Sequence, residues 1–227
     1  MTYILGARCT NGVVLIGDLK RTDKNTGIAD YNRKIFQFGS TVLGMSGISR
    51  YAEKINEEVQ RLFQENLLPQ IVRPLILGVH EQLRSIHVEE AKQFQALIAE
   101  RIGDKSKLYY AGYQEFIPIS SFMPTGNTAV ASYMVLNRLI NPNLEMRDIA
   151  KIGYFTIKCL EKIDAYVGLN DRHPQIYFLP DNPQPKGSTY QEPLDIREAT
   201  NIELDEMKKD VDKMLEKFDN FIKGLLA

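Results

Sequence analysis

The order of apolar periodicities in the sequence predicts an α+β fold, a four-layer αββα sandwich with an extra C-terminal helix. Three observations carry this. Strand-like runs joined by tight turns open the chain, two paired helical patterns alternate with further strands, and a heptad pattern closes it.

The first strand is expected over Tyr3 to Arg8, and Asn11-Gly12 signals a hairpin into the β-branched run Gly12 to Asp18. The polar stretch from Lys20 to Asn32 reads as a loop. Two more strands follow at Lys34 to Phe38 and Thr41 to Met45, divided by Gly39-Ser40. The period then changes. Tyr51, Ile55, Val59 and Leu62 recur every three or four residues, giving a helix over 49–66, and a second is expected over 70–90. Strands at 93–101, 107–112 and 115–119 come next, and a turn-rich segment, Pro124 to Asn127, leads into helices over 128–140 and 146–164. Gln175 to Leu179 is the last strand, and Pro180, Pro183 and Pro185 mark a linker. The predicted organisation is a domain over 1–182, a linker over 183–199 and an amphipathic helix over 200–227. In that helix Leu204, Met207, Val211, Met214, Phe218, Phe221 and Leu225 make one apolar stripe. Such a helix seeks one partner surface, most often on its own chain.

Bulk properties narrow the function. The 227 residues are 44% apolar, enough for a real core, and 28 basic residues balance 29 acidic ones to a net charge of −1. That balance gives no electrostatic reason to expect nucleic acid or an anionic membrane. No apolar run is long enough to span a bilayer, and no secretory pattern opens the chain, so a cytoplasmic protein is expected. The two cysteines suit reduced thiols, and the three histidines lack companions for a metal set, so no metal site is expected.

The chemistry begins at Met1-Thr2. A small residue after the initiator methionine permits its removal, which would leave Thr2 with a free α-amine. A hydroxyl beside its own amine is a self-contained nucleophile and base, because an α-amine with a pKa of about 8 can accept a proton near neutrality, unlike a lysine near 10. Asp18 ends the second strand and Lys34 starts the third, at equal intervals from one another and from Thr2. Adjacent strands of a meander can bring these ends together. A lysine there would stabilise negative charge developing on the Thr2 hydroxyl and keep the amine neutral, and Asp18 would hold the lysine.

The stretches Asn11 to Asp18, Arg33-Lys34-Ile35-Phe36 and Met45-Ser46-Gly47 resemble the N-terminal half of proteasome β-type subunits, members of the N-terminal-nucleophile hydrolase superfamily. The resemblance spans about 2–179 and is strongest up to Gly47. It implies Thr2 as nucleophile, Asp18 and Lys34 as its tuning pair, and the Gly47 N–H as oxyanion donor. It implies Thr22 as a binder of substrate backbone and Met45 as the base of a specificity pocket, although Met45 equally fits simple strand core. Thr125-Gly126-Asn127 resembles the family's glycine-serine turn, and Asp164 resembles the aspartate that completes the centre. The chain departs from the family pattern at Asn127 and Val167, where active members carry serines. Asn127 keeps hydrogen-bonding capacity and Val167 does not, so the surroundings of the amine differ.

The resemblance implies a threonine-type peptidase acting on peptides or unfolded proteins, without metal or organic cofactor, assembled with copies of itself. A transpeptidase using the same nucleophile and a non-catalytic assembly partner are the alternatives.

Overall fold

The computed structural model describes residues 3–22, 29–64, 72–126, 128–141, 143–181 and 196–226. Its elements run β1 (Tyr3–Cys9), β2 (Gly12–Gly17), β3 (Lys20–Thr22), β4 (Ala29–Tyr31), β5 (Ile35–Phe38), β6 (Thr41–Ser46), α1 (Ser49–Gln64), α2 (Val72–Ile86), α3 (Val88–Lys92), β7 (Gln95–Ile102), β8 (Lys105–Ala111), β9 (Phe116–Ile119), β10 (Phe122–Gly126), α4 (Ala129–Leu139), α5 (Met146–Glu161), β11 (Gln175–Pro180), β12 (Arg197–Glu198) and α6 (Asn201–Leu226).

Two antiparallel five-stranded sheets form the middle. The first has the order β10-β1-β2-β11-β12, and the second β5-β6-β7-β8-β9. Their facing sides interdigitate through Ile4, Val13, Leu15, Ile35, Val42 and Leu97, all fully buried. The strands β1, β2 and β11 are apolar on both faces because helices cover the side turned away from the second sheet. There Leu5, Val14 and Ile16 meet Ile149, Ile157 and Leu160 of α5, with Met207 and Val211 of α6 in the same cluster. On the opposite side Tyr51, Ile55 and Val59 of α1 pack with Val72 and Ile76 of α2 on the second sheet. The result is the four-layer αββα sandwich with an added C-terminal helix.

Gly153 shows why α5 can lie so near β2: a Cβ there would come 2.2 Å from the Ile16 side chain. The helix α6 docks on its own chain. Its start is fixed by Thr200 and Glu203, whose side chains cap each other's backbone N–H groups at 3.3 and 2.9 Å. Arg197 grips the Glu203 carboxylate through two bonds of 2.7 Å.

Several local expectations are corrected. The stretch 20–32 is not only loop: Lys20 pairs with Tyr31 and Thr22 with Ala29 in a small two-stranded sheet. The first hairpin turns at Thr10-Asn11, with Gly12 already paired to Cys9. The second helix breaks at His87 into α2 and α3. Phe122–Gly126, hidden in sequence by Pro124 and Gly126, is an edge strand on β1, a position that tolerates a proline. The other sheet also carries a proline on an edge, Pro118 in β9. Residues 196–199, placed in sequence within the linker, include β12, which pairs Arg197 with Phe178.

Candidate active site

The chain's two ionisable residues predicted to form a pair do so. Asp18 follows the last residue of β2 and Lys34 precedes the first of β5, so the stacked sheets bring these strand ends face to face. Lys34 Nζ lies 2.7 Å from Asp18 Oδ1, with the two side chains 7% and 0% exposed. Such a pair is held only when its remaining hydrogen-bonding groups are also satisfied. Asp18 Oδ1 accepts the Tyr3 N–H at 2.9 Å and Oδ2 the Gly168 N–H at 3.3 Å. The Lys34 ammonium also donates to the Lys20 carbonyl. Burial pushes the Asp18 carboxyl up, and the Lys34 ammonium and the two N–H groups oppose that push.

The backbone around the pair is equally fixed. Gly168 accepts from the N–H groups of Leu19 and Lys20 at 3.3 and 3.1 Å, so the segment after α5 is laced to the end of β2. Lys34 O accepts from Met45 N at 3.0 Å. The Gln175 side chain, 5% exposed, accepts the Lys34 N–H at 2.6 Å and the Ile35 N–H at 3.2 Å, and donates to the Ile35 carbonyl at 3.3 Å.

Gly47 directly follows β6 with φ +112°, a backbone setting that favours glycine, and a Cβ there would lie 2.2 Å from the Gln93 carbonyl oxygen. Beside it, Ser46 Oγ contacts the Gln95 carbonyl at 3.4 Å, and Gln95 Oε1 accepts the Gly126 N–H at 2.9 Å. Gly126 is the β-partner of Tyr3, so the two strand ends that precede Asn127 and follow Thr2 in sequence are neighbours.

Other predicted site residues stand as follows. Thr2 and Asn127 lie outside the described residues, as does the Thr22 side chain; the Thr22 backbone ends β3. Met45 is 3% exposed in the cluster with Tyr51, Ile55 and Phe94. The Asp164 carboxylate accepts the Tyr166 N–H at 2.7 Å and so closes a local turn just before Gly168. Val167 is buried in the cluster beneath the first sheet. Reading the sequence did not single out Gln175. Its one signal was a polar residue opening an otherwise apolar strand.

A cavity of about 680 Å³ abuts the pair's neighbours, lined in part by Leu19, Arg33, Arg172, Gln175 and Glu198. No group of His, Cys, Asp and Glu able to hold a metal ion occurs among the described residues, and no helix among them is long and apolar enough to cross a membrane.

No family model and no curated protein matches the chain. Solved structures match it in fold. Anbu (ancestral beta-subunit) from Yersinia bercovieri superposes with a TM-score of 0.75 at 13% identity, covering 97% of this chain and 96% of that one. Anbu from Hyphomicrobium sp. strain MC1 gives 0.70, and its Gly-1 mutant 0.72, each at 13% identity with 96% of this chain and 97% of that chain covered. The sandwich thus shares the proteasome-like fold of these Anbu structures.

Proposed function

We propose that the protein is a threonine-type peptidase acting on peptides or unfolded proteins in the cytoplasm, as an assembly of identical subunits. Thr2, freed by loss of Met1, is its nucleophile. The observation that carries this reading is the buried Asp18–Lys34 pair, tied by Asp18 to the N–H of Tyr3, the residue next to Thr2.

In this reading the Thr2 hydroxyl attacks the scissile carbonyl and passes its proton to the Thr2 amine. Lys34 stabilises the negative charge developing on the hydroxyl oxygen, and its field disfavours a second charge on the amine. The Gly47 N–H donates to the oxyanion, where the missing side chain gives the acyl group room. The amine returns the proton to the departing peptide amine, leaving an ester on Thr2, and water attacks that ester to release the acid. Asn127 supports the amine by hydrogen bonding, Asp164 orders the segment leading to Gly168, and Thr22 and Met45 contribute to substrate binding.

Intact-mass measurement with and without a threonine-directed epoxyketone tests the proposal. The expected result is a protein lacking Met1 that gains one inhibitor mass at Thr2. A cellular protein that retains Met1 would rule out the mechanism.

A further inference from the structure

We infer that Gln175 is the positioning residue of the site: its buried side chain acts as a substitute strand that sets where Lys34 stands against Asp18. The inference rests on the reading of the Asp18–Lys34 pair as catalytic machinery and adds a residue that no family motif supplied.

The argument starts from an unmet requirement of the second sheet. β5 is its edge, so among the described residues one side of β5 has no neighbouring strand. At an exposed edge water would serve the free N–H and C=O groups. Here Ile35 is fully buried and Lys34 nearly so, and buried backbone groups must find protein partners. Gln175 provides them in one side chain, accepting from the N–H of Lys34 and of Ile35 and donating to the Ile35 carbonyl. A primary amide carries an acceptor and a donor on separate atoms at its end, as a peptide group does, whereas a carboxylate only accepts and a hydroxyl offers both functions on a single oxygen.

The place of Gln175 in the first sheet gives this bridge its consequence. It lies on β11 opposite Gly17, the residue before Asp18. Gly17 leaves room there, since even a Cβ would come 3.2 Å from the Ile35 side chain. The carboxylate is thus anchored by the backbone of the first sheet, and the backbone of the lysine is anchored to the same sheet, one strand over, through Gln175. Sheet sliding or rotation at this end would otherwise change the distance between the two charges. The amide bridge couples them.

The test compares wild type with Gln175→Met, which keeps volume without hydrogen bonding, and Gln175→Asn, which stays polar but is one methylene too short. Amide hydrogen exchange at Lys34 and Ile35 is read together with epoxyketone labelling, separated into the inhibitor's saturation constant and the maximal labelling rate per folded molecule. The expected result is faster exchange at both amides and a maximal rate at least about tenfold lower, with the saturation constant within about twofold. Exchange that stays at the wild-type rate in a folded variant overturns the inference, and so does faster exchange with an unchanged maximal rate, which is what a purely structural bridge would give. If wild type itself takes no label, the peptidase reading fails, and the inferred positioning role falls with it whatever the exchange arm shows.

Discussion

Asp18 and Tyr3 bind each other twice: the Tyr3 N–H donates to the Asp18 carboxylate at 2.9 Å, and the Asp18 N–H donates to the Tyr3 carbonyl at 3.1 Å. The carboxylate that holds Lys34 is therefore indexed to the backbone at the very start of β1. A shift of that start relative to β2 would break both bonds at once, so the geometry next to Thr2 is fixed by a reciprocal lock and not by a single contact.

Lys34→Ala removes the ammonium and leaves Asp18 buried with only N–H donors. Breaking one side of a buried pair costs about 3–5 kcal/mol. Urea unfolding is expected to show a loss of that size, and epoxyketone labelling of Thr2 is expected to fall at least about 100-fold. Labelling at the wild-type rate would remove Lys34 from the proposed mechanism.

Gly47→Ala is expected to destabilise by at least about 2 kcal/mol, because it sets a side chain at a positive φ and against the Gln93 carbonyl. Denaturant unfolding measures the loss. An unchanged midpoint would mean that the β6 end has an alternative path, and the tight approach to Gln93 would no longer explain the glycine.

Docking of α6 should depend on acid. The bidentate grip of Arg197 holds the Glu203 carboxyl down to about 2, from an ordinary 4.5. A depressed folded value means that the contribution is complete above about pH 4.5, shrinks as the pH falls and is lost near pH 2. Glu203 is partly open to water, so the effect is modest. Thermal unfolding between pH 5 and pH 2 is expected to fall less steeply in Glu203→Gln, and a parallel acid limb in that variant would contradict the assignment.

Met207 and Val211 are 1% and 0% exposed where α6 meets α5. Met207→Ala is expected to cost about 2–5 kcal/mol as a core truncation. A loss below about 0.5 kcal/mol would show that α6 is not docked on its own chain in solution.

The apolar stripe of α6 is legible in the sequence because its period is local. Asp18 and Lys34 are legible as polar ends of apolar runs, but the expected meander of adjacent strands is not what joins them: β2 and β5 lie in different sheets, and the stacking of those sheets brings the two ends together. Two kinds of feature escaped. β3 and β4 pair over three positions each and lack an apolar pattern, and β10 carries Pro124. Gln175 escaped because its meaning lies in partners 140 and 141 residues away, which only the stacking of two sheets brings within reach. Gly47 was legible as a glycine at a strand end, but its contact with Gln93 crosses from β6 to the approach to β7 and was not.

Pro118 and Pro124 have a consequence for how copies of the chain can associate. Each interrupts the row of donors on the outermost strand of its sheet, so neither of these borders offers an unbroken ladder to a strand from another molecule. Lateral growth of the sheets into a fibre is blocked at these two borders.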